Sequence, residues 1–166
     1  MIPGYRQLPI LALALGLALA TPALGAAGAS GVWINAKESV AVKIRRCAGS
    51  LCGRIVWLRE PRNDDGELKR DRQNPDPERR DALLCGLRVL GGFRPNGDGH
   101  WRNGWIYNAD DGETYQAKLT VKGKDQLKVR GYKLLPLFGR SQTWRRREEP
   151  PGGCGRPLPG SDPATG

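Results

Sequence analysis

Between Val40 and Arg147 apolar side chains repeatedly trade places with charged ones at every second residue, and nothing else in the chain restricts its fold so strongly. Val40, Val42 and Ile44 fall on one side of an extended backbone, with Ala41, Lys43 and Arg45 on the other. Tyr115, Ala117, Leu119 and Val121 alternate with Gln116, Lys118, Thr120 and Lys122, and Leu127 and Val129 continue the pattern between Lys128 and Arg130. A strand with one buried face has this period of two. Lys122-Gly123-Lys124-Asp125 is a short, glycine-containing link, so the last two segments are predicted to form a hairpin. Further strands are predicted over 53–58, 101–108 and 140–147. No stretch sustains a helical period. Asp64-Asp65-Gly66-Glu67, its repeat Asp110-Asp111-Gly112-Glu113, and Asn96-Gly97-Asp98-Gly99 supply the positive-φ positions of tight turns. The body is therefore read as all-β and antiparallel.

Ahead of it, Leu8 to Ala20 carries no charge. Arg6 precedes this run, and small residues crowd positions 21–30. That order is the order of a secretory signal peptide, and the run is shorter than the roughly 20 apolar residues of a spanning helix. The expected organisation is a signal peptide over 1–26, one domain over 27–148, and a disordered tail over 149–166, where five Gly and five Pro fall among the residues. Such a protein is exported to the periplasm or secreted.

In an exported chain the four cysteines are disulfide candidates. Cys47 and Cys52 flank four residues that suit a hairpin turn. Cys85 and Cys154 either pair, tying the tail to the body, or leave Cys85 as a buried thiol. A single His100 and the absence of Cys-x-x-Cys argue against a metal site, and no cofactor is implied.

Charge bears on partners. The formal net charge is +10, and ten Lys and Arg between Tyr115 and Glu148 face only Asp125 and Glu148. Such a face attracts anionic lipid heads or envelope polymers, or simply keeps a sheet soluble. Export argues against nucleic acid as a partner, and a monomer is expected. Residues 59–82 form a long segment with fifteen charges, eight acidic and seven basic, outside any strand pattern. Loops of that length are usually functional or disordered.

Gly31-Val32-Trp33 opens the domain, and Trp144-Arg145 lies in its last predicted strand. A Trp at the floor of a small barrel, covered by an Arg from the final strand, resembles the calycin pattern of lipocalins and implies an up-and-down β-barrel with one long charged loop. Trp33, Trp144 and Arg145 are the structural residues of that reading. More of the chain carries a second resemblance. Leu51-Cys52-Gly53-Arg54-Ile55-Val56-Trp57-Leu58, Asp71-Arg72-Gln73-Asn74-Pro75-Asp76, Gly104-Trp105-Ile106-Tyr107, Asp111-Gly112-Glu113-Thr114-Tyr115, Leu127-Lys128-Val129-Arg130-Gly131-Tyr132 and Gly139-Arg140-Ser141-Gln142-Thr143-Trp144 occur in order. Together they are similar to the exported bacterial family called domain of unknown function 2147. That resemblance implies an exported barrel-like domain and supplies no catalytic residues.

Three functional readings follow. The first is a non-enzymatic binding module that holds a small apolar or lipid-like ligand in the barrel, with Asp71, Asn74, Trp105, Tyr107 and Tyr115 as candidate binding residues. In this reading Leu134-Leu135-Pro136-Leu137-Phe138 is either a lip over the mouth or a loop folded onto the core. The second is an envelope protein docking on anionic polymer or lipid heads through its basic face. The third is a hydrolase using Asp71, for which Asn74-Pro75-Asp76-Pro77 offers the plainer explanation of a rigid turn.

Overall fold

The computed structural model describes residues 28–149 and Cys154. The predicted signal peptide and, apart from Cys154, nearly all of the predicted tail lie outside the described residues. Eight strands run in chain order: β1 Gly31–Ile34, β2 Val40–Cys47, β3 Ser50–Leu58, β4 Arg88–Pro95, β5 His100–Asn108, β6 Glu113–Lys122, β7 Gln126–Tyr132 and β8 Arg140–Arg147. Each pairs antiparallel with the next, and β8 returns to β1, closing an up-and-down barrel. β6 and β7 form the predicted hairpin, with Lys122 opposite Gln126.

Strand β4 has no counterpart among the predicted strands. Gly91 and Gly92 break its alternation, the first required by packing and the second by backbone conformation. A Cβ on Gly91 would stand 2.9 Å from the Trp105 ring. Gly92 sits at φ 74°, the left-handed conformation that lets a bulge re-aim the strand.

Period-two geometry sends alternate side chains inward. Trp33, Val42, Ile44, Ile55, Leu90, Phe93, Leu119, Leu127 and Trp144 form one buried cluster. The chain takes glycine where large neighbours cross the interior: a Cβ on Gly104 would collide with the Phe93 ring, and one on Gly53 would crowd Leu90 and Val42. This half of the interior is filled, as expected for a barrel of eight strands.

The barrel ends differ. The closed end carries the short links 48–49, 96–99 and 123–125, with residues 28–30 laid across it. There the Trp33 Nε1 donates to the Ala29 carbonyl at 2.8 Å. The cation over the Trp33 ring, 4.1 Å from its centroid, is Arg146 and not Arg145. The expected pairing was one residue out of register, for a simple reason. Trp144 points inward, so its neighbour Arg145 points outward, where it pairs with Glu38, and Arg146 points inward again. Arg146 also donates to Ser30, Gly28 and Lys124 carbonyls at 2.8, 2.7 and 2.7 Å.

Both cysteine pairs are disulfide-bonded, Cys47 to Cys52 and Cys85 to Cys154, with Cα separations of 5.9 and 5.5 Å. Two disulfides place the protein outside the reducing cytoplasm. No helix among the described residues is long and apolar enough to cross a membrane.

Candidate functional site

At the opposite end lie the connections 35–39, 59–87, 109–112 and 133–139, and this loop end gathers most of the candidate residues. The long connection 59–87 is built, not loose. Short bridges join Arg62 to Leu68 and Arg70 to Leu83. Arg72 pairs with Asp81 at 2.8 Å, and Arg80 Nε donates to the Asn74 carbonyl at 2.9 Å. Asn74 Oδ1 accepts from the Asp76 N–H, and Asp76 Oδ1 from the Glu78 N–H, opening a 3-10 turn over Pro77–Arg79. These are the side-chain caps expected of a rigid Asn-Pro-Asp-Pro turn.

Asp71 fastens this segment to the barrel. It is 0% exposed and is the one charged side chain in the buried set among the described residues. Tyr107 Oη, from β5, donates to Asp71 Oδ1 at 2.7 Å, and Asn74 Nδ2 donates to Asp71 Oδ2 at 2.6 Å. Its backbone N–H reaches the Ala82 carbonyl at 2.9 Å. A buried carboxylate is costly unless its oxygens are hydrogen-bonded, and here both are. Beside it, a Cβ on Gly112 would collide with the Gln73 carbonyl, so the loop seats directly on the β5–β6 turn.

The candidates therefore separate into groups. Asp71, Asn74 and Tyr107 meet. Trp105 shares the outward face of β5 with Tyr107, packs on Gly91, and carries the Arg88 guanidinium 5.3 Å from its ring centroid. Tyr115 lies on the inward side: its Oη donates to Asp111 Oδ2 at 2.9 Å, and Lys133 stands over its ring. Alternation alone predicts this division between Trp105/Tyr107 and Tyr115 once Gly104 and Ala117 are known to face the core. Arg88 escaped the sequence reading, and Arg130 and Arg146 were read only as members of the basic face, although the i, i+2 spacing of Trp144 and Arg146 was a usable signal.

Electrostatics follow the contacts. Burial, the hydrogen bond to Asp71 and that carboxylate's charge hold the Tyr107 phenol well above its usual range. Burial pushes the Asp111 carboxyl up. The Glu113 N–H, the Tyr115 hydroxyl, Asn108 and Lys133 outweigh it, leaving the group below the ordinary carboxylate range. Asp71 has no exposed surface and both oxygens engaged, and its partner phenol keeps its proton near neutrality. The arrangement is a clasp suited to holding a loop. Raising the pH past about 10 ionises Tyr107 first in the unfolded chain, so its contribution is complete below that value and declines above it. Stability measured across the alkaline range is expected to fall less steeply in Tyr107→Phe than in the parent; equal slopes would remove Tyr107 from the account.

Two concave surfaces accompany the clasp. A cleft of about 340 Å³ lies between the long loop and the β5–β6 turn, lined by Leu68, Arg70, Arg72, Gln73, Leu84 and Asp110 among others. A smaller one of about 200 Å³ lies on the outer face of β5–β7, among His100, Lys118, Lys122, Lys128 and Arg130.

The model of a family described as "Uncharacterized protein conserved in bacteria (DUF2147)" matches residues 31–146. No protein in the curated set matches the sequence. Among solved structures, protein HP1028 from Helicobacter pylori, described as belonging to the lipocalin family, superposes with a TM-score of 0.62 at 22% identity, over 71% of this chain and 82% of that one. The likeness shows a shared lipocalin-like barrel.

Proposed function

Because the chain belongs to the DUF2147 family and carries a lipocalin-like barrel, we propose that it is an exported, non-enzymatic binding module, periplasmic or secreted, that takes one small apolar or lipid-like ligand at the loop end. One observation carries this reading: some inward positions near the loop end are less completely buried than those toward the closed end. Trp33, Phe93, Leu119 and Leu127 are at most 1% exposed, whereas Val40, Ile106 and Tyr115 stay half-buried near the loop end. Ile106 and Tyr115 are register partners, and a Cβ on Gly131 would meet both at ordinary contact distance, 3.7 and 3.6 Å, so the three share the inward face. Apolar walls with few polar groups are the usual lining of a small-molecule site. In this reading Tyr115 touches ligand, while Asp71, Asn74 and Tyr107 act by holding the long loop against the rim of the barrel.

Native mass spectrometry of the protein recovered from its own host tests the proposal. Wild-type protein is expected to retain a mass that extracts into organic solvent, and Ile106→Glu to lose it while keeping the barrel's circular dichroism. Wild-type protein that flies bare, or a mass unaffected by Ile106→Glu, would refute the site.

A further inference from the structure

Four of the five large apolar side chains exposed among the described residues fall within five positions of one loop. Leu134, Leu135, Leu137 and Phe138 are 87, 58, 78 and 79% exposed. Isolated apolar residues on a surface are ordinary; a cluster this dense marks an interaction site. The loop is held in shape from below. Phe138 and Gly139 donate backbone N–H groups to Leu135 and Pro136 at 3.1 and 3.2 Å, closing a 3-10 turn over Pro136–Phe138. Arg130, from the outer face of β7, donates to the Pro136 carbonyl through Nε and Nη2 at 2.9 and 2.6 Å, and to the Leu137 carbonyl at 3.1 Å. The guanidinium thus occupies the polar backbone groups of the turn and leaves its apolar side chains pointing away from the barrel. That feature matters where a segment enters hydrocarbon, because an unpaired carbonyl there is costly.

The surroundings of the loop are basic. Lys133 and Arg140 stand at its two roots, Lys133 being paired with Glu113 at 3.3 Å. On the same outward wall Lys118 stands beside Arg130, and Lys128 and Lys122 follow toward the closed end, with no Asp or Glu at the outward positions of β6 and β7. Lys118 covers the Tyr132 ring, on the same face. Apolar projections beside a basic wall fit one surface best, an anionic bilayer, in which the side chains enter the acyl boundary and the cations meet the headgroups. A soluble polyanion would engage the cations and leave the four apolar side chains in water.

We infer that the β7–β8 loop is a membrane-docking element that seats the barrel's loop end on bilayers with anionic headgroups. This does not depend on the ligand reading, since no pocket is involved. Flotation with phosphatidylcholine vesicles, with and without phosphatidylglycerol, tests it on the exported protein. Wild type is expected to float with phosphatidylglycerol vesicles and to be released by salt. The variant L137S/F138S is expected to bind about tenfold more weakly or worse, with unchanged circular dichroism because both residues are exposed. Lys118→Glu with Lys128→Glu is expected to lose the preference for phosphatidylglycerol. Phe138→Trp provides a second readout, a blue shift of its added emission on binding. Equal flotation of wild type and L137S/F138S would overturn the inference. So would the absence of vesicle binding, or retention on immobilised polyphosphate that matches vesicle binding and ignores the loop substitutions, which would make this a polymer-binding face.

Discussion

Asp71→Ala is expected to lower the unfolding free energy by about 4 kcal/mol, because two hydrogen bonds to a charged group are each worth about 1.5–3 kcal/mol and their donors are then stranded. The residue is fully buried, and its two oxygens are the attachment points of Tyr107 on the barrel and Asn74 within the loop. Asp71→Asn should cost about half as much: its carbonyl still accepts from Tyr107, while its amide opposes the Asn74 donor. Urea unfolding followed by tryptophan emission gives the energies. Hydrogen exchange locates the damage, and protection is expected to fall over 59–87 before it falls in β2, β6 or β7. An unchanged midpoint, or uniform loss of protection, would show that the loop is held by something else. The link to function is mechanical. If the long loop retains ligand at the mouth, releasing it should speed ligand loss without touching the residues that line the wall.

Trp33→Ala is expected to be at least as damaging, at about 3–5 kcal/mol for truncating a buried Trp, before the lost cation–π contact. Trp33 is 0% exposed, donates to Ala29, and lies beneath Arg146, whose three donor groups tie residues 28 and 30 and the β6–β7 turn to the floor of the barrel. Domains of this size have only about 5–15 kcal/mol in total, so the variant should be marginal at 37 °C. The neighbouring arginines provide the sharper comparison. Arg146→Lys loses the fork that reaches three carbonyls and should cost about 2 kcal/mol. Arg145→Lys alters one largely exposed ion pair with Glu38 and should change stability by less than about 1 kcal/mol. Thermal melts that rank the two substitutions the other way would contradict the assignment of Arg146 to the barrel floor.

The strands could be read in advance wherever the inward and outward environments impose alternation. β2, β6 and β7 were legible for that reason, as were the turns whose glycines take positive φ. β4 was not legible, because Gly91 and Gly92 are chosen by Trp105 and by a bulge, contacts that no local window contains. Within the site, the Asn74 and Asp76 caps are local and were anticipated. The join between Asp71 and Tyr107 spans 36 residues and was not. Both had been named as candidates, yet their meeting and the burial of Asp71 depend on how the loop folds back over β5.

The place of Trp33 on the barrel floor was implied by the resemblance to lipocalins; by itself, the order of residues determined the class of the fold, its antiparallel hairpins and the pairing of Cys47 with Cys52. These follow from periodicity, φ preferences and spacing along the chain. Tertiary structure decided which arginine covers that Trp, which inward positions stay half-buried, what the buried carboxylate holds, and that the Leu134–Phe138 segment stands clear of the core. Each of those depends on which face a side chain finally presents and on partners distant in sequence. Closure of the sheet sets both: it turns a one-residue difference along a strand into the difference between inside and outside.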